Sequence, residues 1–344
     1  MRLNQFAIAL GCLSVAAVGV ADTNDRHFPA PSTLSPEMTE AVNAPTPDLW
    51  LSKVQTAAEV HALVADYAKN AGQAYRQTAH DLGVKVEEIQ MAGVSAFVLT
   101  PKNLKQVHKD KVIFYIHGGG YILGHGVSCI GEAIPMAAQN GYKVICVDYR
   151  MAPEYPFPAA IDDAFAVYRE VVKNYGAKNV AVFGSSTGGA MTLVLALQAH
   201  AAGFEMPAAL IAGSPWSDMD KIGDSYQVNE GVDNILGTYD RLIKTAARLY
   251  ANGHNLKDPF ISPVYASDSA LKAFPPTLLL SGTRDLFLSN TARMHTRLLL
   301  NKVQSELIVY EALSHVQYYL NPKAPETQQH YRLLADFLDR IWQK

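Results

Sequence analysis

Residues 180–197 read VAVFGSSTGGAMTLVLAL. A β-favouring run ends at Gly184, two serines and a threonine follow, and after Gly188 and Gly189 comes an apolar run of helical length. A strand that gives way to a helix over so few residues must turn sharply, and Gly184-x-Ser186-x-Gly188 puts Ser186 at the apex. In such a turn a flanking β-carbon collides with the neighbouring strand and helix, so both neighbours must be glycine. The helix that starts there aims its unpaired amides at the apex. The turn thus presents one hydroxyl beside backbone donors, as an acyl-transfer nucleophile requires. The pattern alone is weak, since composition gives roughly 0.1 chance matches in a chain of this length. A plain βα turn is the bland alternative. A phosphate loop of the Walker type is excluded, because it needs Gly-Lys-Ser/Thr and no Lys stands here.

Around this turn, strands and helices alternate from Lys111 onward. The strands read KVIFYIH, YKVICVDY, NVAVFG, AALIAGS, PTLLLSG and SELIVYE, with helices at about 128–139, 159–174, 188–202 and 289–301 between them. Uninterrupted apolar strands alternating with helices predict an α/β fold with a mostly parallel sheet covered on both faces. VKVEEIQM and VSAFVLTP flank Ala92-Gly93 and predict a hairpin. Apolar spacing predicts helix over 49–80, and five prolines between 22 and 48 predict a lead-in that is partly ordered at best. Residues 218–256 insert about forty residues between two strands, far more than an ordinary connection. They predict a helical cap, joined by elements from about 22–80.

Three further pieces complete a reactive centre. IHGGGY carries His117, Gly118, Gly119, Gly120 and Tyr121 directly after the first long buried strand. Three consecutive glycines leave backbone amides uncovered, and the amide of Thr187 adds another donor for a developing oxyanion. His117 reads as a brace for that loop, with Gly118, and not as a proton carrier. A serine needs a base and the base an orienter. Asp285 follows one late strand and His315 the next, giving the order Ser186, Asp285, His315. His295 and His330 fall in helices and Asp258 in a loop before the sheet resumes, so each is a poorer candidate.

Taken together, His117-Gly-Gly-Gly-Tyr121, DYRMAPEYPFPAA (148–160), the serine turn, SPW (214–216), DPFISP (258–263), Asp285 and His315 resemble the hormone-sensitive-lipase-like esterases of the α/β-hydrolase fold from about Val84 to the C-terminus. The resemblance implies Ser186 as nucleophile, His315 as base, Asp285 as its orienter, and an oxyanion hole from Gly119, Gly120 and Thr187. It makes 22–344 an α/β-hydrolase domain with a helical cap. The prolines and the Asp148/Arg150 pair of the 148–160 segment read as scaffold for the oxyanion loop. One departure stands out. Such esterases usually carry Asp, Glu or Thr before the nucleophile, and Ser185 here predicts a weaker supporting hydrogen bond.

Charge and composition narrow the partners. The chain has 344 residues, 49% apolar and 18% charged, with a formal net charge of −3. No basic stripe is present, which argues against nucleic acid. The eleven histidines form no metal motif, and no cofactor is signalled or needed. The expected partner is a small-molecule ester, or a lactone cleaved by the same chemistry. A non-catalytic receptor is disfavoured by His315. Bulky Tyr121, Trp216 and Phe287 are expected to line the substrate pocket and to favour short-to-medium acyl chains. Arg2, the apolar run Phe6–Val20 and Gly19-Val20-Ala21 predict a secretory signal over 1–21, hence an exported protein with no membrane span after cleavage. Cys129 and Cys146 would then remain, both expected to be buried free thiols.

Overall fold

A computed structural model describes residues 28–343, apart from the side chains of 66–70, so the signal segment 1–21 lies outside the described residues. Eight strands form one sheet in the order β1-β2-β4-β3-β5-β6-β7-β8: β1 Val84–Met91, β2 Val94–Pro101, β3 Val112–Ile116, β4 Lys143–Val147, β5 Val180–Ser185, β6 Ala209–Gly213, β7 Thr277–Gly282 and β8 Ser305–Tyr310. The pairs from β4 through β8 are parallel. The hairpin β1–β2 joins antiparallel through β2 and β4. Every residue of β3, β5, β6 and β7 is buried, which is why these strands read as unbroken apolar runs.

The helices are α1 Pro36–Val42, α2 Asp48–Leu51, α3 Ala57–Asp81, α4 Ala133–Asn140, α5 Ala159–Tyr175, α6 Thr187–Ala201, α7 Ser225–Val228, α8 Leu242–Ala251, α9 Asp268–Leu271, α10 Leu288–Leu300, α11 Gln317–Leu320 and α12 Pro325–Trp342. They cover both faces of the sheet. One core packs α5, α6, α8 and α10 against it, and the other packs α4 and α12.

Two expectations need correction. The proline-rich lead-in is helical over 36–42, because Pro36 occupies the first helical turn, where its missing N–H costs nothing. Ser35 caps that helix at Met38 N and is itself held by Glu326. The helix expected over 49–80 breaks at 52–56. A capping box starts a new helix there, with Thr56 Oγ1 accepting from Glu59 N at 3.2 Å and Glu59 Oε2 accepting from Thr56 N at 2.9 Å. Cys129 lies in a 3₁₀ turn over 126–130 and Cys146 in β4, and both are buried and free.

Parallel strands deliver their C-terminal ends to one edge of the sheet. There β3 runs into His117, β5 into Ser186, β7 towards Asp285 and β8 towards His315.

Candidate active site

Ser186 has φ +61° and ψ −123°, a left-handed backbone that only a tightly held turn sustains in a non-glycine residue. Its amide donates to Gly213 O at 2.8 Å and its carbonyl accepts from Trp216 N at 3.1 Å. The flanking glycines are demanded by close approach. A β-carbon on Gly184 would lie 2.5 Å from both Ile116 O and Gly188 O. One on Gly188 would run into Ile116 O and come within 2.8 Å of His117 O. Gly118 likewise passes over Ser185 O, leaving only 2.8 Å for a β-carbon.

The glycine loop after β3 continues with positive φ at Gly119, Gly120 and Tyr121. Gly119 O is occupied by the amides of Ile122 and Leu123. Among the described residues, the amides of Gly119, Gly120 and Thr187 donate to no backbone carbonyl outside regular elements. His117 stacks on Tyr149 at 4.1 Å, its Nδ1 lies 2.7 Å from Gly118 O, and Tyr149 OH donates to His117 O at 2.9 Å. Burial pulls the His117 imidazole down to about 4, so it is neutral at physiological pH. From the 148–160 segment, Ala152 N donates to Tyr121 O. Asp148 and Arg150 do not pair with each other: Asp148 holds Gly126 N and His125, and Arg150 holds Asp163.

His315 Nδ1 donates to Asp285 Oδ1 at 3.0 Å, with both side chains buried. Asp285 also accepts from Phe287 N at 2.8 Å and from Ser281 Oγ at 2.8 Å. Burial pushes the Asp285 carboxyl up, but the His315 imidazole and the surrounding donors outweigh it and hold the group below its ordinary value. His315 Nε2 is buried and has no partner among the described residues, and His315 and Ser186 line the same cavity. The rival histidines are engaged elsewhere, His295 with Ser305 and His330 with Tyr310. Asp258 caps its own loop at Phe260 N.

A family model for the alpha/beta hydrolase fold matches residues 113–319. The chain belongs to the α/β-hydrolase fold family. The structure of an esterase designated E25 superposes with a TM-score of 0.86 at 38% identity, covering 92% of this chain and 97% of that one. An esterase from the bacterial hormone-sensitive lipase family superposes with a TM-score of 0.75 at 27% identity, over 90% of this chain and 99% of its own. By sequence, an esterase of Acinetobacter venetianus is 28% identical over 255 residues, 74% of this chain and 82% of that protein.

Two buried carboxyls of this hydrolase escape sequence reading. Asp233 accepts from Ile235 N and Leu236 N on Oδ1, and from Leu286 N and His315 N on Oδ2. It thereby ties the 233–236 loop to both loops that carry the Asp285–His315 pair. Burial and the neighbouring Asp285 charge push its carboxyl up. The second is Glu132, just before α4. Ser185 Oγ donates to its Oε1 at 2.7 Å and Tyr115 OH to its Oε2 at 3.1 Å. Ser185 therefore has a short hydrogen bond to a buried carboxyl, and the weaker support expected from a serine at this position is not what the hydrolase shows. Neither residue sits in a motif, and no spacing marks a lone acid on an irregular segment.

The cavity at Ser186 measures about 260 Å³ and is walled by Leu49, Trp50, Tyr75, Leu236, Val316 and Tyr319. A larger hollow of about 940 Å³ lies beyond the oxyanion loop around Asp148 and Arg150 and contains none of Ser186, Asp285 or His315. Ser186 and His315 both line the smaller one. The expected pocket residues are placed otherwise. Tyr121 is fully buried and stacked on Tyr250 at 3.6 Å, and Trp216 is stacked on Phe287 at 5.4 Å. Phe287 sets its ring against the edge of His315 at 4.8 Å. None of the three lines the cavity at Ser186. They pack the core behind the loops that carry Ser186, Asp285 and His315, where an aromatic at a strand end serves as readily as in a pocket wall. Trp216→Ala is therefore expected to cost about 3–5 kcal/mol of stability, read as a lowered Tm, and to leave the preferred acyl length unchanged. Trp50→Ala, which opens a wall, is expected to move that preference to longer chains in the same ester panel.

Proposed function

We propose that this chain is a serine esterase that cleaves carboxylic esters of short-to-medium acyl chains through an acyl-enzyme. The observation that carries the reading is His315, oriented by buried Asp285 through Nδ1, with an unpartnered Nε2 in the cavity shared with Ser186. In this reading His315 takes the Ser186 proton as Oγ attacks the ester carbonyl. The amides of Gly119, Gly120 and Thr187 receive the oxyanion, and collapse of the tetrahedral intermediate expels the alcohol with the same proton. Water then repeats the sequence on the acyl-enzyme. Pro47, Leu49 and Trp50 at α2, with Ile235 and Leu236, supply the cap side of the cavity wall, within the segments 22–80 and 218–256. The esterases among the similar proteins support the reaction class.

In this reading the walls of the cavity of about 260 Å³ limit the acyl chain. Each methylene placed in an apolar pocket adds about 0.8 kcal/mol until the wall is met. Overpacking beyond it costs about 1–3 kcal/mol. Rates on p-nitrophenyl esters of graded length should rise and then fall, with the maximum between about two and eight carbons. An optimum at sixteen carbons or more would end this reading of the cavity. Export rests on the sequence of 1–21. The mature protein is expected to start near Asp22 outside the cytoplasm; N-terminal sequencing checks this, and a cytosolic protein retaining Met1 would refute it.

A further inference from the structure

We propose that Glu132 is a positioning residue for the nucleophile turn, acting through Ser185 to hold the backbone that aims the Ser186 hydroxyl. The inference rests on the reading of Ser186 as nucleophile.

Ser186 occupies a strained backbone conformation, and such conformations persist only where the surroundings over-determine them. Two of the restraints are backbone bonds, from Ser186 N to Gly213 O and from Trp216 N to Ser186 O. Another comes from the preceding residue, whose hydroxyl is anchored at 2.7 Å on Glu132. Glu132 is in turn fixed by Tyr115 OH from β3, the strand beside β5, and its carbonyl accepts from Tyr331 OH on α12. Gly213 leaves room for this arrangement: a β-carbon there would run into Ser185 Oγ and Tyr318 OH. The turn is thus clamped from the sheet's interior by a side chain remote in sequence.

Glu132 is 3% exposed and lines the reactive cavity. The groups around it are Tyr115 from β3, Ser185 from β5, Tyr318 and Tyr319 from α11 and Tyr331 from α12, while Tyr75, His117 and His315 share the cavity. Glu132 forms no ion pair among the described residues. Burial pushes its carboxyl up to about 8, so keeping an acid here costs stability. An apolar residue would pack in the same volume at no such cost. What it could not do is hold Ser185. A displacement of the nucleophile by about 1 Å can lower a rate about 100-fold, which gives the clamp its value.

The test is steady-state kinetics on p-nitrophenyl butyrate with Glu132→Ala, Ser185→Ala, the double variant and Glu132→Gln, beside Ser186→Ala. Glu132→Ala and Ser185→Ala are each expected to lower kcat about 10–100-fold with KM within about threefold of wild type. The double variant should lose no more than either single one, because both remove the same hydrogen bond. Glu132→Gln keeps an acceptor for Ser185 and should recover to within about threefold of wild type. The proposal is overturned if Ser185→Ala keeps its kcat, if the two losses multiply, or if the loss falls on KM. Should Glu132→Ala fail to fold, Ser185→Ala and Glu132→Gln decide alone. An active Ser186→Ala would instead overturn the nucleophile reading, and an inactive one with unaffected Ser185→Ala would overturn only this inference.

Discussion

Ser186→Ala is expected to lower kcat on short-chain esters by about 10⁴-fold or more while the protein stays folded, as judged by circular dichroism and an unchanged Tm. Among the described residues, the Ser186 turn is held by the backbone bonds of Ser186 N to Gly213 O and Trp216 N to Ser186 O, which alanine keeps. His315→Ala and Asp285→Asn should fall into the same range. Their double and triple combinations should fall little further, because the three residues act as one unit. Asp285→Asn is the most informative of the set. Asparagine fits the space, but its amide cannot take the place of a carboxylate that accepts from His315, Ser281 and Phe287 N together. A Ser186→Ala protein that retained near-normal turnover would sink the assignment.

The second large effect concerns the backbone. Gly188→Ala is expected to destabilise the protein by about 3 kcal/mol or more, a drop in Tm of roughly 5–10 °C, and to abolish activity in whatever remains folded. The added methyl meets Ile116 O and the carbonyl of His117, which belong to the strand beneath and the start of the oxyanion loop. These are backbone atoms and cannot swing aside as a side chain would. The same methyl therefore strains the helix start and pushes the glycine loop away from Ser186. Gly203→Ala is the natural control. Gly203, unlike Gly188, has a positive φ, but nothing lies within 4 Å of the new methyl, so only the modest backbone strain remains. A Gly188→Ala protein with wild-type Tm would show that the turn is looser than its contacts require.

The residues that were legible in the sequence are those whose chemistry imposes a local pattern. Gly184 and Gly188 are forced by atoms one strand away, and the apolar runs of β3, β5, β6 and β7 are forced by burial on both faces. Asp285 and His315 could be found because the fold delivers consecutive strand ends to one edge. Asp233 and Glu132 could not, because their partners are backbone amides and hydroxyls brought in from elsewhere. Tyr121, Trp216 and Phe287 were legible as large residues near the site but not as core, since a ring at a strand end has the same sequence context either way. The break before α3 turned on Thr56 and Glu59, whose capping box was hidden under an apolar spacing that continues through it.

The beginning of the described chain is anchored on residues far along it, some of them at its end. Ser35 is bound by Glu326, Ala41 O by Gln317 and Asn234, and Pro29 O by Arg284. Leu49 and Trp50, which follow shortly after, form part of the cavity wall. Synthesis proceeds from the N-terminus, so this belt waits, without its partners, until some 290 residues more have been made, the span from Ser35 to Glu326 being 291. Contacts so distant in sequence are the slowest to close. The central strands of the sheet and the core under α5, α6, α8 and α10 rest on shorter-range pairings, whereas the second core also needs α12. The reactive cavity gains its wall only when the last helix is available to hold the belt in place. The wall that Leu49 and Trp50 give the Ser186 cavity thus belongs to a segment whose anchor at Ser35 needs Glu326, so the cavity is complete only once the two ends of the described chain have met.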